Sequence, residues 1–290
     1  MNKAIGFVGL GVMGFPMAGH LSKVHNINVY NRSSEKTKRW IEKYSGHECD
    51  SIREISQESD ILILCAGNDN DVREIISKKD GVLDSLKSGS IVVDHTTTSA
   101  DLSIDMNNQL NSKEINYIDA PVSGGQVGAE LGQLSVMAGG SQESFLTIQE
   151  ILKLYAKFVK YMGKSGSGQL TKMVNQICIA SLIQGLAEGM NFSEKVGLNS
   201  NDVLEVISKG AAQSWQMDNR WQTMLEDKFN HGFAVDLMIK DLDIVIKKAK
   251  KEDINLDVTK IIAKFYQDIQ KAGGGRWDTS SLYKRLKESL

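Results

Sequence analysis

A glycine-rich turn near the start of the chain is the feature that most restricts its possible folds. Gly9, Gly11 and Gly14 fit the pattern G-x-G-x-x-G between a strand-like segment, residues 4–8, and a helical pattern over 12–24. In this context the first glycine permits a tight turn, the second lets a pyrophosphate approach the backbone, and the third permits close helix–strand packing. The sequence therefore predicts a dinucleotide site formed by Gly9, Leu10, Gly11, Val12, Met13 and Gly14.

Short apolar segments alternate with helical patterns over the first part of the chain. The predicted strands are 4–8, 27–30, 61–66, 91–94 and 115–119, and the predicted helices are 12–24, 34–45, 70–79 and 99–111. This alternation is typical of βαβ units, and continuous apolar strands are typical of burial on both faces. We expect residues 1–163 to form an α/β Rossmann domain with a doubly wound, mainly parallel sheet.

The pattern changes after the glycine- and serine-rich segment 163–168. Apolar residues at spacings of three and four predict one long helix over about 169–195, and residues 200–290 show helical periodicity without a convincing strand. A chain of 290 residues also has the length of about two domains. We therefore expect residues 164–290 to form an all-α domain that begins with this linking helix.

The end of the second predicted strand indicates which dinucleotide binds. An NAD site carries Asp or Glu about 20 residues after the glycines, whereas this chain has Asn31, Arg32 and Ser33. Asn31 removes a carboxylate that would repel a 2′-phosphate, and Arg32 supplies a planar cation that can bind one. These residues favour NADP over NAD. The alternative is that Arg32 is a solvated turn residue and Asn31 binds the ribose of either cofactor.

Composition argues against several other classes of protein. The net charge of −2 gives no reason to expect nucleic acid or an anionic membrane as the main partner. No run of about 18 apolar residues predicts a transmembrane helix, and the N-terminus lacks a signal-peptide pattern. The three cysteines and five histidines have no metal-ligand or disulfide spacing, so no metal is expected. A cytoplasmic protein is expected.

Further segments carry a resemblance to a known family. They are 119–125 (DAPVSGG), 166–175 (GSGQLTKMVN), 240–242 (KDL) and 273–278 (GGGRWD), in addition to the glycine-rich turn. Together they make the whole chain resemble the β-hydroxyacid dehydrogenases, which include 3-hydroxyisobutyrate dehydrogenase, tartronate semialdehyde reductase and the glyoxylate and succinic semialdehyde reductases. The resemblance implies a Rossmann domain, a linking helix, an all-α domain like that of 6-phosphogluconate dehydrogenase, and a homodimer or homotetramer.

The same resemblance implies an NAD(P)-dependent oxidoreductase that interconverts a short β-hydroxy acid and its semialdehyde. Lys172 matches the family's catalytic lysine, a general acid in reduction and a general base in oxidation, and Asn175 lies one helical turn later. Ser123, Gly124 and Gly125 match the substrate loop, where backbone N–H groups can bind a carboxylate. The remaining matched positions are Thr97 near cofactor and substrate, Lys240 near the nicotinamide, Asp241 as a support for that lysine or the substrate, Phe233 as a wall of the site, and Trp215 as a candidate substrate contact.

Other interpretations of these residues stay open from the sequence. Thr96 or Thr98 could cap the predicted helix 99–111, and Lys240 with Asp241 could be an ordinary helix ion pair. A glyoxylate or succinic semialdehyde reductase shares every motif. An imine reductase shares the architecture but usually lacks the lysine, and 6-phosphogluconate dehydrogenase has a longer second domain. A dinucleotide-binding module without catalysis would not need Lys172, Asn175 and Ser123 together.

Overall fold

A computed structural model describes residues 3–288. The chain divides into two compact units between Lys172 and Met173. The first unit contains the strands β1 Ile5–Val8, β2 Ile27–Tyr30, β3 His47–Glu48, β4 Ile61–Leu64, β5 Ile91–Asp94, β6 Asn116–Asp119, β7 Val122–Ser123, β8 Leu134–Gly140 and β9 Ala156–Gly163. Its helices are α1 Gly14–Ser22, α2 Ser34–Lys43, α3 Ile52–Gln57, α4 Asp69–Ser77, α5 Val82–Ser85, α6 Ala100–Asn111, α7 Gly125–Glu130 and α8 Gln142–Leu152. The division between the units falls inside α9, Ser167–Lys195.

The strands form one sheet in the order β3-β2-β1-β4-β5-β6-β8-β7, with β9 beside β8. Strands β1 to β6 pair in parallel, whereas β8 runs antiparallel to β6 and β7. The order 3-2-1-4-5-6 is that of the doubly wound dinucleotide-binding folds. The predicted α/β class with a mainly parallel sheet is therefore confirmed. In such a sheet, ligands bind beyond the carboxyl ends of the strands.

Each face of the sheet has its own apolar core. Ile61 and Ile63 of β4 belong to one cluster of buried residues, and Leu62 and Leu64 belong to the other. All four side chains are fully buried. Because successive residues of a strand point to opposite faces, both faces are covered by helices, and this explains the continuous apolar pattern of the central strands.

Three strands after residue 119 go beyond the predicted set. β7, β8 and β9 add an antiparallel strand and its neighbours to one side of the parallel sheet. The first four residues of β8 alternate between buried and half-buried before three buried ones, and β9 is mostly half-buried or exposed. A period of two marks a half-covered strand, so this segment lacks the long apolar runs that marked the central strands. The small edge strand β3 was likewise not predicted.

The second unit is helical over its described residues, apart from an isolated bridge between Ala234 and Asp278. After α9 come α10 Ser200–Ile207, α11 Trp215–Leu225, α12 Val235–Lys251, α13 Asp257–Ile269 and α14 Leu282–Glu288. Trp221, Tyr266 and Met190 are buried in its core. The all-α prediction for this part of the chain is confirmed. Among residues 3–288, no helix combines the length and apolar character that crossing a membrane requires.

Candidate active site

The glycine-rich turn has the geometry that a dinucleotide needs. Gly9 has φ +99°, in the left-handed region, and a Cβ on Gly14 would lie 1.9 Å from the Gly9 carbonyl oxygen. A Cβ on Gly11 would meet no atom within 4 Å, so open space lies above the turn. Met13 at the start of α1 makes no side-chain cap. The first N–H groups of a helix are not bonded within it and attract phosphate, and the turn therefore fits a pyrophosphate.

Asn31 ties the end of β2 to this turn. Its Oδ1 accepts a hydrogen bond of 2.9 Å from the Leu10 N–H, and its Nδ2 donates to the Ser33 carbonyl at 3.1 Å. Arg32 is largely exposed, with its Nη1 3.8 Å from the Asp71 carboxylate. The amide of Asn31 thus shapes the loop, while the guanidinium of Arg32 stands at its surface.

The loop after β5 contains Thr97 and differs in one detail from the sequence prediction. Neither Thr96 nor Thr98 caps α6. Ser99 does so instead, because its Oγ accepts the Leu102 N–H at 3.1 Å. The Thr96 hydroxyl accepts the Ala66 N–H at 2.9 Å. The possibility that Thr96 or Thr98 caps the helix was therefore wrong, since Ser99 is the residue with extended backbone directly before the first turn.

The start of α9 is fixed to the carboxyl edge of the sheet by Asp119 at the end of β6. The two oxygens of its carboxylate accept the N–H groups of Gly166 at 2.7 Å and Gln169 at 3.0 Å. Gly166 has φ +89°, and a Cβ on Gly168 would lie 2.4 Å from the Met137 carbonyl oxygen. The two glycines are thus required by backbone conformation and by close approach, which explains the segment G-S-G-Q physically.

The side chain of Gln169 adds a second connection to the same edge. Its Oε1 accepts the Thr98 N–H at 3.1 Å, and its Nε2 donates to the Thr96 carbonyl at 2.7 Å. Gln169, Thr96 and Thr98 are all buried. The carboxamide therefore holds the backbone on both sides of Thr97. Lys172 follows one helical turn later, with 7% of its surface exposed.

Burial changes the protonation of the ionisable groups at this edge. It raises the pKa of Asp119 to about 7, although the two N–H bonds act in the opposite direction, and it raises the pKa of Asp94 to about 6. It lowers the pKa of His95 to about 4. His95 Nδ1 lies 2.6 Å from the Ala120 carbonyl, which only accepts, so the proton sits on Nδ1, and Nε2 then accepts from the Tyr155 hydroxyl at 2.8 Å. His95 is thereby a neutral structural group.

Ser123, Gly124 and Gly125 form the connection from β7 to α7. Gly124 has φ +132° and Gly125 has φ +62°, conformations that L side chains rarely adopt. All three residues are half-buried. The backbone of this loop depends on the two glycines, which keep the surface free of side chains beyond Ser123.

Four polar side chains of the second unit are connected by two hydrogen bonds and an ion pair. Asn175 Nδ2 donates to Gln176 Oε1 at 2.8 Å, and Gln176 Nε2 donates to the Asp241 carboxylate at 2.6 Å. Lys240 Nζ lies 3.2 Å from the other oxygen of Asp241. Asp241 is 2% exposed. The structure thus brings Asn175, Asp241 and Lys240 together through Gln176.

Phe233 and Trp215 occupy different segments of the second unit. Phe233 precedes α12, and its N–H donates to the Asp278 carboxylate at 2.8 Å. Trp215 begins α11 with half of its surface exposed, and the Arg220 guanidinium lies 5.2 Å from its ring centre. Arg220 Nε also lies 3.0 Å from the buried carboxylate of Asp278. Both aromatic residues are therefore linked to Asp278, Phe233 through its own N–H and Trp215 through Arg220.

Three residues at these sites were missed from the sequence. Asp119, Gln169 and Gln176 lie within or beside the quoted motifs, yet no role was assigned to them. A signal was available for the two glutamines, since each is a polar residue within the apolar pattern of the predicted linking helix, where a buried amide requires partners. For Asp119 the partners lie 47 and 50 residues away along the chain, which no local pattern encodes.

A separate group of possible metal ligands lies at the β3 edge of the sheet. One donor atom each from His47, Cys49 and Glu58 lies within 4.8 Å of the others. Burial and the carboxylates of Glu54 and Glu58 raise the pKa of the Cys49 thiol to about 12. The Cys49 thiol lies 3.9 Å from the Glu58 carboxylate. A metal binds the thiolate, so metal binding at this group would require the loss of the thiol proton.

Fold and turn together define a dinucleotide-binding protein, and comparison with known families identifies it as an NAD(P)-dependent oxidoreductase. Residues 4–163 match the NAD binding domain of 6-phosphogluconate dehydrogenase. Residues 166–286 match a domain described as the NAD-binding domain of NADP-dependent 3-hydroxyisobutyrate dehydrogenase. The chain belongs to the 3-hydroxyisobutyrate dehydrogenase family of hydroxyacid dehydrogenases. The resemblance stated from the motifs is confirmed.

Individual relatives cover nearly the whole chain. An uncharacterised oxidoreductase of Shewanella frigidimarina is 48% identical over 286 residues, 98% of both chains. The 2-(hydroxymethyl)glutarate dehydrogenase of Eubacterium barkeri is 32% identical and covers 98% of this chain and 95% of its own. A crystal structure of 3-hydroxyisobutyrate dehydrogenase from Salmonella typhimurium has a TM-score of 0.87 at 28% identity, over 98% of this chain and 99% of the other.

Proposed function

We propose that this protein catalyses the reversible reduction of a short semialdehyde acid to its β-hydroxy acid with NADP as the cofactor. The single observation that carries the proposal is the position of Lys172. This buried lysine lies on the first turns of α9, which Asp119 and Gln169 fix to the carboxyl edge of the sheet. Ligands of doubly wound sheets bind at that edge.

The proposed chemistry divides between cofactor and protein. When bound, the nicotinamide supplies or accepts the hydride. Lys172 transfers a proton to the substrate oxygen in reduction and removes it in oxidation. Its burial shields this exchange from bulk water. The glycine-rich turn and α1 are proposed to hold the pyrophosphate, and Arg32 and Ser33, which follow β2, are proposed to recognise the 2′-phosphate. We assign dinucleotide binding to residues 1–163 on these grounds.

We infer the substrate class from the names of two relatives, whose substrates carry a carboxylate and a neighbouring hydroxyl. The names 3-hydroxyisobutyrate and 2-(hydroxymethyl)glutarate each describe an acid with a hydroxymethyl group on the carbon beside a carboxyl. In this chain, the Ser123–Gly125 loop has the open backbone that can bind such a carboxylate. Thr97 and Asn175 are assigned to orient the substrate.

The second unit is proposed to supply the remaining residues of the site and to form the contacts of a homo-oligomer. Lys240 is proposed to approach the nicotinamide side, and Asp241 to support that lysine or the substrate. Phe233 is proposed as a wall of the site and Trp215 as a substrate contact. Leu170, Val174, Leu182 and Phe192 of α9 have at least two-fifths of their surface exposed. Exposed apolar residues on one helix support the expectation of a homo-oligomer, which the mass of the assembly in solution tests.

The experiment measures NADPH oxidation with a panel of short semialdehydes, including those of methylmalonate, tartronate and succinate, together with glyoxylate, and with NADH in parallel. Lys172→Ala should lower kcat by about 10²–10⁴-fold and leave the dissociation constant of NADPH unchanged. Lys195→Ala is the matched control, since Lys195 is an exposed lysine at the far end of the same helix. Turnover of Lys172→Ala within threefold of the unmodified protein would refute the proposal.

A further inference from the structure

We propose that Gln169 is a positioning residue for this reaction, because its side chain fixes the backbone around Thr97 to the helix that carries Lys172. The inference rests on the proposed function, in which Thr97 and Lys172 act on the same substrate. It assigns a role to a residue whose side-chain hydrogen bonds go to the backbone of Thr96 and Thr98.

The argument begins with the two hydrogen bonds of the carboxamide. Gln169 accepts from the Thr98 N–H at 3.1 Å and donates to the Thr96 carbonyl at 2.7 Å. Thr97 stands between these two residues, so both ends of its backbone are held by one planar group. The loop before α6 and the start of α9 are 71 and 73 residues apart in sequence at these contacts. No local interaction could hold them in register.

The same residue is fixed in turn by the sheet. The backbone N–H of Gln169 donates to Asp119 at 3.0 Å, so the first turn of α9 cannot slide along the edge without losing that bond. Gln169 is 0% exposed, Thr98 1% and Thr96 2%. Water does not replace a hydrogen bond at such a site without rearrangement, and an unsatisfied buried group is costly. The contact therefore behaves as a rigid link.

The residue type is also specific. The link needs one acceptor and one donor in a single plane, and only the carboxamides of Gln and Asn supply both in this form. Leu has a similar volume but no hydrogen bonds. Glu keeps the acceptor and, at a pH that ionises its carboxyl, places a negative oxygen against the Thr96 carbonyl, whereas protonated Glu would keep both bonds. Leu should therefore loosen the backbone around Thr97 at every pH, and Glu only when it is ionised, while the core stays filled in both variants.

Loss of the link should affect the chemical step more than binding. A misplacement of about 1 Å between reacting groups can cost about 10²-fold in rate. The glycine-rich turn is held separately by Asn31. We therefore expect Gln169→Leu, and Gln169→Glu when its carboxyl is ionised, to lower kcat by about 10- to 100-fold, with KM for the semialdehyde and Kd for NADPH changed less than threefold.

Hydrogen exchange of the protein without cofactor gives a second readout. The Thr98 amide should exchange faster in Gln169→Leu, which removes its acceptor, than in Gln169→Glu, which keeps one, and peptides of α10 should be unchanged. Gln184→Ala is the matched control, because Gln184 is a buried glutamine of α9 whose amide donates within the same helix, to Glu188 at 2.7 Å. This control should retain kcat and normal exchange at Thr98.

The outcomes separate this inference from the proposed function. If Lys172→Ala is inactive while Gln169→Leu and Gln169→Glu retain kcat within threefold, the positioning role is refuted and the proposed function stands. Equal losses of kcat, NADPH affinity and melting temperature would also overturn it, since they indicate a general folding role. If Lys172→Ala keeps full turnover, both proposals fail. Should Gln169→Leu not fold, Gln169→Glu carries the test.

Discussion

Replacement of Arg32 by alanine should change the preference between the two dinucleotides. The Arg32 side chain is 85% exposed, and its only ion pair among the described residues is with Asp71, at 3.8 Å. An exposed pair of this kind contributes at most about 1 kcal/mol, so the guanidinium can turn towards a bound phosphate at small cost. A hydrogen bond to a charged group contributes about 1.5–3 kcal/mol.

Subtracting the cost of breaking the ion pair leaves about 0.5–2 kcal/mol for recognition of the 2′-phosphate, which corresponds to about 2- to 30-fold in affinity. Arg32→Ala should therefore raise KM for NADPH by that factor and change KM for NADH less than twofold. Asp71→Asn removes the competing carboxylate and keeps the side-chain shape, so it should improve the affinity for NADPH by no more than about fivefold.

Initial rates with each cofactor at saturating semialdehyde, together with fluorescence titrations of NADPH and NADH, measure these changes. Arg53→Ala is the matched control, since Arg53 is also exposed and paired, with Asp80 at 3.2 Å. If Arg32→Ala leaves the ratio of the two KM values unchanged, or raises both equally, the assignment of NADP through Arg32 is wrong.

Two further substitutions test the buried parts of the first unit. His95 is held neutral with a pKa near 4 against an ordinary 6.5, so its contribution is complete above pH 6.5 and is lost as the pH falls towards 4, by about 3 kcal/mol. His95→Gln should remove this loss of folding stability. Urea unfolding of both proteins at pH 7.5 and 4.5 measures it, and an equal fall in the free energy of unfolding of both proteins would contradict the prediction. Gly168→Ala would place a Cβ 2.4 Å from the Met137 carbonyl oxygen and should cost about 1–3 kcal/mol. Its melting temperature should fall relative to Gly210→Ala, where the nearest atom is 3.8 Å away, and equal melting temperatures would refute the close approach.

Local patterns predicted most of the sheet and the long helix because these depend on burial. The central strands are buried on both faces, so β4 reads as four consecutive apolar residues. Helix α9 shows an apolar spacing of three and four over many turns, and the predicted 169–195 agrees with Ser167–Lys195. In both cases the physical signal lies within a few residues of sequence.

The connections at the carboxyl edge could not be predicted in the same way. The motif containing Asp119 was recognised, but the direction of its carboxylate depends on β6 and α9 meeting across 47 residues. The cap of α6 was misplaced because Thr96, Thr98 and Ser99 all have suitable hydroxyls, and only the backbone geometry selects Ser99. Asn31 was considered for its missing charge, whereas its amide binds the turn itself.

The bonds from Asp119 to Gly166 and Gln169 have a consequence for recombination between homologous chains. The two family domains meet between residues 163 and 166, which makes this the natural crossover point for a chimaera. A crossover there would take Asp119 from one parent and its two N–H partners from the other. The compact units instead divide after Lys172. A crossover at that later position inherits the carboxylate, both glycines, the glutamine and the lysine as one block.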